Sequence, residues 1–280
     1  MLCGIVHIHT INWEMNMKKY IFTDLACESL AEVNPRRMRL GNRVEKLLFF
    51  DRSGREEKRH ITFFTPKLWL LEDDEFDLLC EAIADELRAL LDADEKKNIL
   101  AVGLGNPRLT TDSLGAQTIE GLAISPPECR GSRRLMAIAP DVTGNTGIIT
   151  ADAVGAYVDR INPDALIVID SLRARSIARL ASTVQISDGG IVPGSGVGGG
   201  RGEISREALG IPVISIGVPT VVSASTLVSD VISKQGGEIE KSELSAMLND
   251  GLDFFVMPKE ADLLIKGAAL LLSRAINLAV

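Results

Sequence analysis

Two aspartates are the residues of this chain best suited to acid–base chemistry. Asp112 follows the run Asn98-Ile-Leu-Ala-Val-Gly-Leu104, and Asp170 closes the run Ala165-Leu-Ile-Val-Ile-Asp170. Both runs are short and strongly apolar and read as buried strands; in open α/β sheets ligands bind outside the carboxyl ends of such strands. Two carboxyl groups brought to one edge cannot both ionise easily, so one keeps a proton as acid while the other activates water as base. The histidines offer little competition. His7, His9 and His60 all precede the main apolar body, so a Ser-His-Asp or Cys-His mechanism would have to recruit one from far along the chain. Either aspartate also suits a helix N-cap, before Ser113-Leu-Gly-Ala-Gln117 and Ser171-Leu-Arg-Ala-Arg-Ser176 respectively. Spacing along the chain does not say whether the two meet.

Other side chains could serve such a site. Arg173 and Arg175 follow Asp170 closely enough to hold a substrate carboxyl group, although a solvated face explains such a charge run equally well. The glycine-rich stretch from Gly189 to Gly202 contains Gly194, Gly196 and Gly198; it reads as a flexible connection or as a loop that covers or contacts substrate. The Gly103-Leu-Gly105 and Gly194-Ser-Gly196-Val-Gly198-Gly199 patterns are weak dinucleotide fingerprints. Pro107 interrupts the first turn, and Pro193 instead of a strand precedes the second. No Walker-type G-x-x-x-x-G-K-[ST] run exists. No cofactor and no metal site is expected, because two hard oxygen ligands without a core histidine do not complete a transition-metal shell.

The elements that must position these groups follow from periodicity. Residues 44–50 and 59–64 read as an antiparallel pair joined by a turn, and residues 75–91 carry apolar residues at helical spacing. Strands are expected at 98–104, 134–139, 165–169, 183–187, 212–218 and 254–257. Helices are expected near 112–122, 148–160, 171–181, 203–209, 220–234, 240–249 and 259–277. This alternation implies a three-layer α/β fold, a mainly parallel or mixed sheet with helices on both faces. Residues 1–20 read as an N-terminal extension and 21–280 as one domain.

Composition narrows the class. Of the 280 residues 46% are hydrophobic but only 4% aromatic, as in a core of Leu, Ile, Val and Ala. The net charge of -8 argues against direct binding of nucleic acid, whose footprint is basic. Cys3, Cys27, Cys80 and Cys129 have no metal-site spacing and read as reduced structural thiols. No apolar run reaches the roughly 18 residues of a membrane span, and residues 1–10 lack the basic start of a signal peptide, so a cytoplasmic location is expected.

In order along the chain, several segments together resemble the spore germination protease family. They are Phe22-Thr-Asp-Leu-Ala26, Val102-Gly-Leu-Gly-Asn106, Thr111-Asp-Ser-Leu-Gly115, Thr146-Gly147, Pro163-Asp164 and Ile169-Asp-Ser-Leu-Arg-Ala-Arg-Ser176. Gln185-Ile-Ser-Asp188, Pro193-Gly-Ser-Gly-Val-Gly198, Leu209-Gly-Ile-Pro-Val213, Gly217-Val-Pro-Thr-Val-Val222 and Pro258-Lys-Glu260 continue the series. The resemblance implies a phosphorylase/hydrolase-like fold and an aspartate-dependent endopeptidase, made as a zymogen and assembled as a homotetramer. Its substrates would be the small acid-soluble proteins that coat spore DNA, and its location the forespore or spore core. The family's two essential aspartates fall on Asp112 and Asp170. The chain departs from the family pattern at Val192, where histidine is usual, and at Gly199-Gly200, where asparagine and a basic residue are usual. Those departures leave a second reading, a diverged relative that binds the same substrates or a sporulation partner without cleaving.

Overall fold

The computed structural model describes residues 23–30, 35–51, 57–92, 98–126, 133–194, 202–224, 226–228, 231 and 254–280. The expected N-terminal extension, the helix expected at 240–249, and Gly196 and Gly198 of the glycine stretch lie outside the described residues.

The strands are β1 (Arg36–Arg39), β2 (Glu45–Asp51), β3 (Lys58–Phe64), β4 (Asn98–Gly103), β5 (Arg134–Ile138), β6 (Ala165–Ala174), β7 (Thr183–Ser187), β8 (Val213–Ser223) and β9 (Phe255–Val256). They form one mixed sheet in the order β1-β2-β3-β7-β8-β6-β4-β5, with β9 on β8. β5, β4, β6 and β8 run parallel, whereas β7, β3, β2 and β1 continue the sheet antiparallel. The edge strand β1 is exposed throughout and carries Arg36, Arg37 and Arg39, charges that discourage a further strand from adding to it.

Helices cover both faces, and side-chain alternation along the strands decides which helix each residue meets. On one face Ile99, Ala101, Ala165, Ile167, Ile169, Ile214 and Ile216 pack in one cluster with residues of α2 (Asp73–Asp92) and α7 (Ala261–Ala279). On the other face Leu100, Val102, Leu166 and Val168 pack against Ala151, Val154 and Val158 of α5 (Thr150–Ile161). Shorter helices among the described residues include α1 (Ala26–Ser29), α3 (Leu114–Glu120), α4 (Thr143–Thr146) and α6 (Arg206–Leu209). The α2 helix begins Asp73-Asp74-Glu75, negative charge placed at the positive end of its dipole. The architecture is therefore the expected α/β class, with helices on both faces of a mixed sheet.

Two expected helices open as strands, although the described residues 224, 226–228 and 231 of the second are helical as expected. Residues 171–174 continue β6, and residues 220–223 continue β8; the two extensions pair through Ala174 and Val222 across a register shift between Leu172 and Arg173. The β-branched run Thr220-Val-Val222 favours this conformation, and a cross-strand partner overrides the helical reading of residues 171–174. Residues 175–181 then turn back toward β7. β1 was not legible from the sequence, since an arginine-rich strand with every residue exposed shows no apolar alternation.

Candidate active site

β6 outruns β4. Their last paired residues are Gly103 and Ile169, so Asp170 is the first residue of β6 to stand beyond β4, and the Leu104 N–H donates to the Ile169 carbonyl at 2.8 Å. The chain leaving β4 fills that space with a turn at Thr110–Asp112, anchored to β8 by the Thr220 hydroxyl, which donates to the Thr111 carbonyl at 2.8 Å. The Asn106 N–H donates to the Asp112 carboxylate at 2.7 Å and closes this loop on itself. Gly105 permits the closure: its φ is +100°, and a Cβ there would lie 2.0 Å from the Asp112 carbonyl oxygen. The glycines that resemble a dinucleotide fingerprint therefore serve to place Asp112.

Neither aspartate is a helix N-cap. Asp170 lies inside β6, its carboxylate accepting from the Ser171 N–H at 2.8 Å, and Ser113 precedes α3 with no side-chain cap. Burial raises the Asp170 carboxyl well above the usual carboxylate range, and the charges of Asp112 and Asp24 push it further, against the opposing Ser171 N–H. Burial also raises Asp112, but the Asn106 N–H stabilises its ionised form while Asp141 acts in the raising direction. The two groups thus lie within electrostatic reach, with Asp170 holding its proton the more firmly.

The other expected residues fall around this pair. Arg173 is buried, with its guanidinium 5.9 Å from the centroid of the Phe255 ring, and Arg175 is exposed. Gly194 lies in a turn with φ +71°, next to the undescribed part of the glycine stretch.

Three residues that sequence reasoning passed over join them. Thr62, Gln185, Gly217 and Asp170 form one row across β3, β7, β8 and β6, and His60, Ser187, Ser215 and Val168 form another. Gln185, Gly217, His60, Ser187 and Ser215 of these rows line a cavity of about 290 Å³ together with Asp24, Asp51, Ile191 and Val192, whereas Asp112 and Asp170 are not among its lining residues. His60, remote along the chain, enters this cavity because β3 pairs with β7. Burial lowers its basicity against the pull of Asp188 and Asp51, and its Nδ1 has no hydrogen-bond partner among the described residues. Asp24 lies beside β6, and Asp141, after β5, adopts a left-handed φ of 66°. The segment Thr23-Asp-Leu-Ala26 was a legible signal for Asp24; nothing in the local sequence marked His60 or Asp141.

The arrangement suits water activation by a carboxyl–carboxylate pair. Among the described residues no group of three His, Cys, Asp or Glu side chains converges as a metal site. Burial pushes the Cys27 thiol up to about 11, which removes it as a thiolate nucleophile near neutrality.

Comparison with known proteins agrees with the order of motifs along the chain. A family model described as germination protease matches residues 43–242. The germination protease of Clostridium acetobutylicum is 36% identical over 263 residues, covering 82% of this chain and 80% of that protein. That of Caldanaerobacter subterraneus is 37% identical over 257 residues, covering 81% and 79%. That of a Geobacillus species is 53% identical over 150 residues, covering 51% and 40%. Among solved structures, a nickel–iron hydrogenase maturation protease from Thermococcus kodakarensis aligns with a TM-score of 0.38 at 15% identity, over 69% of this chain and 96% of that one. The family match over most of its length places this chain in the germination protease family.

Proposed function

We propose that this chain is an aspartate-dependent endopeptidase that degrades small acid-soluble, DNA-coating spore proteins during germination. The observation that carries the reading is the placement of Asp112 and Asp170, 58 residues apart in sequence, at the point where β6 passes the end of β4. Asp112, stabilised as a carboxylate by the Asn106 N–H, takes a proton from water while that oxygen attacks the scissile carbonyl carbon. Asp170, which keeps its proton because burial and two neighbouring carboxylates disfavour its charge, donates a hydrogen bond to the carbonyl oxygen as negative charge develops there. The proton held by Asp112 then passes to the leaving amine as the C–N bond breaks. Arg173, Arg175 and the glycine stretch with Gly194, Gly196 and Gly198 are the residues assigned to substrate contact. The zymogen, the homotetramer and the forespore location belong to the same reading.

The test is incubation of the purified protein with a small acid-soluble spore protein, followed by mass spectrometry. Discrete fragments that disappear with Asp170→Asn support the reading; an intact substrate under all conditions overturns it. Val192 favours a second reading. It lines the cavity and carries no titratable group, so a relative that binds the same substrates without cleaving them would give a stable complex and no fragments.

A further inference from the structure

β4 and β5 pair as far as Val102 and Ile138, so the chain segments that leave their carboxyl ends start side by side. Side-chain amides join these segments. The Asn145 Nδ2, on α4, donates to the Asn106 Oδ1 at 3.2 Å and to the Asp141 Oδ1 at 2.9 Å. The orientation of both amides follows from their partners. The Arg108 N–H donates to the Asn106 side chain at 3.0 Å, so the atom it meets is the oxygen, and the Asn145 group facing that oxygen must be its NH₂. Asn106 is also the residue whose N–H donates to the Asp112 carboxylate at 2.7 Å. It therefore carries the bond to Asp112 on its backbone and the bond to α4 on its side chain.

The α4 end of this bridge is itself anchored. Asp141 holds a left-handed φ of 66°, which an aspartate tolerates where its side chain bonds locally, and its Oδ1 accepts from the Val142 N–H at 2.7 Å. Its carbonyl accepts from the hydroxyl of Thr150, the buried first residue of α5, at 3.4 Å. The path runs from α5, which packs on the sheet, through Asp141 and Asn145 to Asn106 and its N–H bond to Asp112. The Asp112 turn is thus held from β8 by Thr220 and from the β5 side by Asn145.

We infer that Asn145 is a positioning residue for Asp112, acting through Asn106: its amide holds the Asn106 turn in the orientation that presents the backbone N–H to the carboxylate. Its share is modest, because Asn145 is exposed and water competes for its bonds. Asp112 must nevertheless meet its water within hydrogen-bond reach, and a displaced carboxylate loses rate.

This inference rests on the peptidase reading for its effect on rate. Asn145→Ala removes the donor from an exposed position and should leave the fold in place. It should lower kcat about fivefold, the size expected of one neutral hydrogen bond, with KM unchanged. A raised KM with kcat kept would make Asn145 a substrate contact and overturn the inference. Asn106→Ala keeps the N–H that reaches Asp112 but removes the acceptor. Combined with Asn145→Ala it should be no worse than Asn106→Ala alone, whereas multiplied effects reject action through Asn106. A second readout needs no cleavage. In protein carrying ¹⁵N-labelled asparagine, the Asn106 backbone resonance is the one lost in Asn106→Ala. In Asn145→Ala its proton should shift toward the position it takes in Asp112→Asn and exchange faster with solvent, because the bond to the Asp112 carboxylate weakens. An Asn106 amide that neither shifts this way nor exchanges faster overturns the inference even if cleavage falls. Failure of the peptidase reading shows separately, as absence of fragments from the wild type.

Discussion

Gly103 and Gly115 are packed backbone to backbone. A Cβ on Gly103 would lie 2.4 Å from the Gly115 carbonyl oxygen, and a Cβ on Gly115 would lie 2.3 Å from the Leu104 carbonyl oxygen. This contact lets α3 start directly against the end of β4 and so brings the Asp112 turn down onto the edge beside Asp170. Gly115→Ala should cost about 3 kcal/mol of stability, the upper range for overpacking, because the atoms met are backbone and cannot rotate away. Thermal or denaturant unfolding reads this directly, and cleavage should fall more than the folded fraction does.

Asp112→Asn and Asp170→Asn should each lower kcat by about 10²- to 10⁴-fold, the usual contribution of positioned acid–base groups. The double variant should be little worse than either single one, since groups that act as a unit fail together. Rates on a small acid-soluble spore protein measure this; full activity in either single variant rejects the pair.

Stability should depend on pH through Asp170. Its carboxyl is raised in the folded state, so at pH values below the ordinary carboxylate range both folded and unfolded chains hold the proton. As pH rises through that range the unfolded chain releases its proton first, and stability falls until the folded group also ionises. Asp170→Asn removes this loss. Its melting temperature should exceed that of the wild type near neutrality and converge on it toward acid; equal melting temperatures at all pH values would contradict the buried, protonated state.

Chelator treatment should leave cleavage unchanged, because the described residues offer no cluster of three metal-ligating side chains at the site. Inhibition reversed by a divalent metal would overturn this. Val192→His places an imidazole on the cavity wall that His60 and Asp24 already line, and it should raise activity if position 192 takes part in proton transfer. An unchanged rate in that variant assigns the work to the carboxyl pair alone.

Much was legible in the sequence, for physical reasons that are local. The runs at 99–103, 165–169 and 213–218 are almost continuously apolar, broken only by Ser215, because these strands are covered on both faces, and α2 and α7 show their buried stripes at helical spacing. Asp112 and Asp170 could be chosen as the site because they stand where such runs meet polar chain. Tertiary structure decided the rest. The helix expected over 171–181 gave way to strand at 171–174 because β8 and Asp24 together pair the backbone at Arg173, partners 45 or more residues away. His60 reaches the cavity only through the pairing of β3 with β7, and Asp24 reaches Asp170 only because β4 ends where β6 does not. Periodicity records which face of an element is buried. Which charges come to lie side by side depends on strand order and relative strand length, and those are properties of the assembled sheet.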